Sequence, residues 1–197
     1  MNFKNFYLQF FGIFYIVIGI VAVFNVIIGL DSASVLWISY FAFFFIGLGI
    51  LIKNSYLIGA WFNIIFIPYL IWSIDFLYHL FFNKSLWGIT DYMFVSRVLI
   101  SQIVSIQHIF IIPIALLSIY FIKLQKKDFW KLSLILISMS FILTRLFTKP
   151  IENVNCVFKN CLPFEIIPVL YPISWFLAFF IMIGIVNFLL VKIKKLF

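Results

Sequence analysis

The chain has 197 residues, of which 66 % are hydrophobic and 10 % charged, with a formal net charge of +8. Soluble domains run at roughly 45–50 % apolar and about 25 % charged, and an exterior as apolar as this one aggregates in water. Composition therefore excludes an ordinary soluble globule and points to lipid as the solvent. The 28 Phe carry no functional weight, because Phe, Ile, Lys and Asn share A/T-rich codons and the excess reads as genome bias.

About 20 apolar residues cross the hydrocarbon core as a helix. Six such runs follow one another: Phe6–Leu30, Val35–Ile52, Tyr56–Phe82, Val98–Ile122, Phe129–Phe147 and Ile166–Val191. They are continuously apolar, without the alternation of barrel strands. The expected fold is all-α: one domain over residues 1–197, a bundle of six transmembrane helices. The first run is too long for a signal-peptide core and lacks a small-x-small cleavage site, so it reads as a retained span. In it Gly12 and Gly19 share a face, and Ser39, Ala42 and Gly49 roughly share one in the second run. Small residues let helices approach closely.

Connections are short: "DSAS" after the first run, "KNS" after the second and "QKKD" after the fourth. Such turns make sequential spans antiparallel. With six spans both termini share a side, and that side receives Lys4, Lys53, Lys123, Lys126, Lys127, Lys131, Lys192, Lys194 and Lys195. The positive-inside rule then predicts cytoplasmic termini. Asp31, Asp91, Glu152 and Glu165 fall on the other side. The net charge is thus a topology signal and an attraction to anionic headgroups. Nucleic acid is not an expected partner, since no folded basic face is available to bind it.

The third run contains "IDFLYHLFF", residues 74–82. Asp75 and His79 stand one turn apart on one helical face, and Pro68 predicts a kink before them. The fourth run carries Arg97, Ser101, Ser105 and His108 on one stripe about 80° wide. Arg97 enters at a depth close to that of Asp75, and a pair across the hairpin would keep both charged. His108 lies about 16 Å deeper than Arg97, and Pro113 frees a carbonyl beside it. Ionisable residues inside a membrane are functional candidates by default. Asp75, His79 and His108 are accordingly the candidate catalytic residues, and Arg97, Ser101 and Ser105 the candidate binding residues. Against this, Asp75, His79 and Arg97 would merely anchor at headgroup level if the spans sit lower. His108 could simply satisfy a carbonyl or a serine. In the fifth run Ser133, Ser140 and Thr144 share a face, with Arg145 at its outer end.

The connection Thr148–Glu165 is the only one long enough to carry structure of its own. It holds both cysteines, Cys156 and Cys161, in "CVFKNC". This spacing suits a small disulfide on an oxidising side or two buried thiols. Zinc lacks further ligands nearby, so no metal site is expected, and no cofactor motif is present.

The run from "LDSASVLW" through "PYLIWSIDFLYHL" and "LWGITDYMF" resembles the YpjA-like bacterial multi-pass membrane proteins over about half of the chain. That resemblance implies architecture only. Separately, "HIFIIP", with His108 and Pro113, looks like the His-containing helix of the androgen-induced/FAR-17a membrane hydrolases. In that family a Thr and a His act on fatty-acid esters. The His corresponds to His108, while the second run offers Ser34 and Ser39 but no Thr. Three roles follow as expectations: an intramembrane enzyme acting on acyl-ester lipids, a small transporter or proton-linked carrier, and an assembly subunit without chemistry.

Overall fold

The computed structural model describes residues 2–29, 31–95, 98–162 and 170–193. Among these every regular element is helical: α1 (Phe3–Ile28), α2 (Ile38–Leu51), α3 (Ser55–Phe82), α4 (Asp91–Val95), α5 (Leu99–Ile122), α6 (Trp130–Phe147) and α7 (Tyr171–Ile193). Two 3₁₀ turns, Ser32–Leu36 and Val154–Cys156, precede α2 and follow α6. The helical bundle inferred from composition is therefore the fold. Five of the helices, α1, α3, α5, α6 and α7, are long and apolar enough to cross a membrane.

The second run departs from expectation. Its helix, α2, has 14 residues, about 21 Å at 1.5 Å per residue, shorter than the roughly 30 Å hydrocarbon core, although the segment still runs from the end that holds Asn155 to the end that holds Lys53. The cause lies at its start. Asp31 accepts from the Ser34 N–H and starts a 3₁₀ turn, and Trp37 is extended with ψ 124°. The first amide of α2, Ile38 N–H, then donates to Asn155 Oδ1 at 2.9 Å. A residue more than a hundred positions away thus caps this helix.

Helix α3 is the axis of the bundle. It packs against α2, α5, α6 and α7, and 61 % of its most apolar stretch is buried against 17 % for α7. Asn54 caps its start by accepting from Leu57 N–H at 3.0 Å, and Asn83, in the left-handed region at φ 52°, ends it. Helices α1 and α2 meet most closely, through Gly19 and Gly47. A Cβ on Gly19 would come within 2.9 Å of Phe44 N, and one on Gly47 within 2.7 Å of Ile16 N. Backbones at that separation gain dispersion contacts, the main attraction left between helices when lipid is as apolar as they are. Gly49, expected to share a face with Ser39 and Ala42, meets Ile58 of α3.

Hydrogen bonds sort the connections onto two ends. At one, Lys53 donates to Asn5, Gln125 N–H to Ser55, Tyr56 to the Asp128 carbonyl and Asn187 to the Lys127 carbonyl. At the other, Asn155 joins Ile38 N–H, the Leu36 carbonyl and Thr144, and Trp175 Nε1–H donates to its carbonyl. Cys156 and Cys161 of this second end form a disulfide, with Cα atoms 5.7 Å apart.

Candidate functional site

The free-energy cost of Asp75 in an apolar helix is met by the segment that follows it. Its side chain is fully buried. Oδ1 accepts from Leu86 N–H at 2.9 Å and Trp87 N–H at 2.7 Å. Oδ2 accepts from Thr90 N–H at 2.9 Å and the Thr90 hydroxyl at 2.8 Å. Gly88, at φ +76°, gives the loop the turn that brings these donors round one carboxylate. Four good donors compensate a buried anion. Every strong acceptor direction of Asp75 is engaged, so it clasps the α3–α4 loop and has no lone pair left for a substrate proton. Arg97, the expected partner, lies outside the described residues.

His79, one turn on, faces different neighbours. Its Nδ1 is 3.4 Å from Asp91 Oδ1, and its ring stacks on Phe94 with centroids 3.7 Å apart. Among the described residues no hydrogen bond or ion pair joins it to Asp75 or His108. The last two turns of α3 thus hold the connection to α5 twice, Asp75 through residues 86–90 and His79 through α4.

The stripe on α5 divides in the same way. Ser101 accepts from Asn25 Nδ2 of α1 at 3.0 Å. Ser105 accepts from the Tyr92 hydroxyl at 3.1 Å, which itself accepts from Trp72 Nε1–H at 3.2 Å. His108 bonds within its own helix: Nδ1 lies 2.6 Å from the Ser105 carbonyl. A carbonyl can only accept, so Nδ1 carries the proton and the neutral ring keeps its lone pair on Nε2. Among the described residues Nε2 makes no hydrogen bond. The ring is half-buried and lies against Tyr69 (centroids 4.2 Å apart), Trp72 (4.8 Å) and Phe43 (5.7 Å).

The structure therefore brings together Ser105 and His108 from the predicted set, and adds Tyr69, Trp72, Phe43 and Tyr92 from α3, α2 and α4. Asp75 and Ser101 lie in other hydrogen-bonded groups, and His79 lies against Asp91 and Phe94. No family model, curated protein or solved structure matches this chain. Among the described residues no three His, Cys, Asp or Glu side chains are grouped to hold a metal ion.

Two polar groups escaped the sequence reading. Asn63 of α3 is fully buried and donates to Ser133 of α6 and Asn187 of α7, at 3.2 and 3.4 Å. Asn155 joins four elements, as described above. The available signal was a single amide in an otherwise apolar helix, Asn63 and Asn187 alike. The tyrosines of the site gave none, since Tyr and Trp are expected at membrane interfaces.

Proposed function

We propose that the chain is a multi-pass integral membrane protein in which His108 is a general base acting on acyl-ester lipids that enter from the bilayer. The observation that carries this reading is the fixed tautomer of His108. Its Nδ1–H is committed to the Ser105 carbonyl, which orients the ring as a carbonyl or carboxylate orients a catalytic imidazole. The basic Nε2 is left to a proton-bearing reactant. The surrounding aromatic walls exclude bulk water and favour an apolar substrate. The resemblance of the His108–Pro113 stretch to ester-cleaving membrane hydrolases belongs to the same proposal.

The proposed topology places both termini and the Lys123–Lys131 connection in the cytoplasm. The lysines at the end of the bundle that holds Asn5, Lys53 and Lys127 support this orientation by the positive-inside rule. The disulfide at the opposite end suits an oxidising compartment. Reporter fusions after Lys53, Lys127 and Lys195 are expected to read inside, and an outside signal at Lys127 reverses the assignment.

The test of the chemistry uses the full chain in nanodiscs and a panel of acyl-ester lipids. His108→Gln keeps a hydrogen-bonding group of similar size and cannot take up a proton. Turnover should fall by about 10²-fold or more, with thermal unfolding close to wild type. Undiminished turnover removes His108 from the chemistry. No turnover by the wild type leaves a carrier or an assembly subunit as the better account.

A further inference from the structure

Tyr15 of α1 and Tyr69 of α3 are 0 % and 5 % exposed, and neither hydroxyl makes a hydrogen bond among the described residues. The Ser39 hydroxyl of α2 lies close enough to act on that of Tyr69, but no hydrogen bond of full geometry joins them. Phenylalanine would fill the same space without the cost of an unpaired buried hydroxyl, so two such tyrosines around one site require a partner. Tyr69 belongs to the wall of the His108 site, and Tyr15 stands behind Phe43 of that wall. Tyr69 touches the imidazole, and Tyr15 stacks on Phe43 with centroids 6.0 Å apart. Phe43 in turn meets both His108 and Tyr69. Pro68 and Pro113 interrupt α3 and α5 next to Tyr69 and five residues beyond His108. Each removes an N–H from its helix ladder and leaves a carbonyl four residues earlier, on Ile64 and Ile109, without that donor.

The neighbourhood thus contains hydroxyl donors without acceptors, and acceptors (His108 Nε2 and freed carbonyls) without donors. A guest that only accepts would leave Nε2 unpaired, and one that only donates would leave the tyrosines unpaired. Water does both. We infer that Tyr15, Tyr69 and His108 hold an internal water molecule, and that this water is the nucleophile for ester cleavage. The second half rests on the proposed function, and the first does not.

The step balances without a metal, redox partner or covalent intermediate. His108 Nε2 takes a proton from the water as its oxygen bonds to the acyl carbon, and the carbonyl π pair moves onto the carbonyl oxygen. As the water's lone pair goes to the acyl carbon, the tyrosine hydroxyls that held it turn to donate to that oxyanion. On collapse the acyl carbon–oxygen bond to the alcohol breaks, and the imidazolium returns its proton to the leaving oxygen. One ester and one water give one carboxylic acid and one alcohol.

Tyr15→Phe and Tyr69→Phe, made singly in the full chain and held in phosphatidylcholine nanodiscs, test both halves. With a bound water, each substitution strands a hydrogen-bonded guest and should lower the unfolding midpoint by about 2–4 °C. A midpoint that is unchanged or raised shows hydroxyls that nothing satisfied, and overturns the water site. A Ser39→Ala background controls for a direct partner: loss of the Tyr69→Phe effect there assigns the hydroxyl to Ser39 and also overturns it. For the chemical half, Tyr69→Phe should lower kcat for an acyl-ester lipid by about 10-fold or more with KM little changed. Unchanged kcat beside a lowered midpoint makes the water structural and overturns its role as nucleophile. Absence of turnover in the wild type overturns that role together with the proposed function, while the midpoints still decide whether the water is held.

Discussion

Two positions on one helix treat polar groups in opposite ways. Around Asp75, near the C-terminal end of α3, four donors meet one carboxylate at 2.7–2.9 Å, and the group is complete as the protein folds. Six residues earlier, Tyr69 keeps an unbonded hydroxyl, and its ring lies against His108, whose Nε2 also bonds to nothing described. A satisfied buried charge lowers the free energy of one conformation. An unsatisfied donor and acceptor held by rigid aromatic walls retain binding energy for something that arrives later. By that criterion Asp75 is architecture and His108 the candidate site, although their residue types alone suggest equal standing.

The largest effect expected from breaking this contrast is at Asp75. Asp75→Ala leaves three backbone amides and a hydroxyl without their acceptor, at about 1–3 kcal/mol for each group that stays buried. Such a loss approaches the whole stability of a typical domain, so the variant should be recovered poorly or unfold far below wild type. A double-mutant cycle with Thr90→Ala should show strong coupling, because Thr90 supplies two of the four bonds. A stable Asp75→Ala chain with an ordered 83–91 loop contradicts the clasp.

Next in size is Asn155, which stands at φ 53° and binds Ile38 N–H, the Leu36 carbonyl and Thr144. Asn155→Ala removes a helix cap and places an L-residue with no compensating side chain in the left-handed region. About 2–3 kcal/mol should be lost, combining a cap of roughly 1 kcal/mol with backbone strain of similar size. Asn155→Gly should recover the strain and not the cap. If alanine and glycine behave alike, the conformation at 155 contributes little. Smaller again is the disulfide. Cys156→Ser with Cys161→Ser opens a short loop, for which chain entropy alone gives about 2 kcal/mol. Asn153 already holds that loop through Phe158 N–H, Lys159 N–H and the Lys159 carbonyl, so less should be lost. Comparing midpoints with and without reductant measures it.

The bundle was legible because its cause is spread over many residues: long apolar runs between short polar turns leave few alternatives to helices. What escaped depends on single contacts between distant segments. The 3₁₀ turn that shortens α2 needs Asp31 and a cap from Asn155. The four-donor clasp needs Gly88 to turn a loop that the sequence presents as a plain connection, and no hydrophobic period marks the five residues of α4. The site itself was half legible. His108 stood out as an ionisable group at mid-depth, and its stripe included Ser105. Tyr15 and Tyr69 looked like any other aromatic residues, because periodicity gives the face a side chain occupies and not whether its hydroxyl finds a partner.

The smallest effect sharpens the contrast most, because it concerns the candidate that resembles His108 most closely. His79 is also an imidazole in an apolar helix, but its side chain stacks on Phe94 at 3.7 Å and lies 3.4 Å from a half-exposed carboxylate of Asp91. Stacking needs only a flat ring. A contact of that length to an exposed partner contributes little, typically below about 1 kcal/mol. His79→Phe keeps the ring against Phe94 and removes the Asp91 contact, so stability should change by no more than about 1 kcal/mol and ester turnover should be unaffected. The same substitution at His108 keeps its contacts with Tyr69, Trp72 and Phe43 but deletes both nitrogens, and turnover should be lost. Equal behaviour of His79→Phe and His108→Phe in both assays would mean that the imidazoles are interchangeable as packing groups. A loss of turnover confined to His79→Phe would move the chemistry to the C-terminal end of α3, against the geometry of the unbonded Nε2.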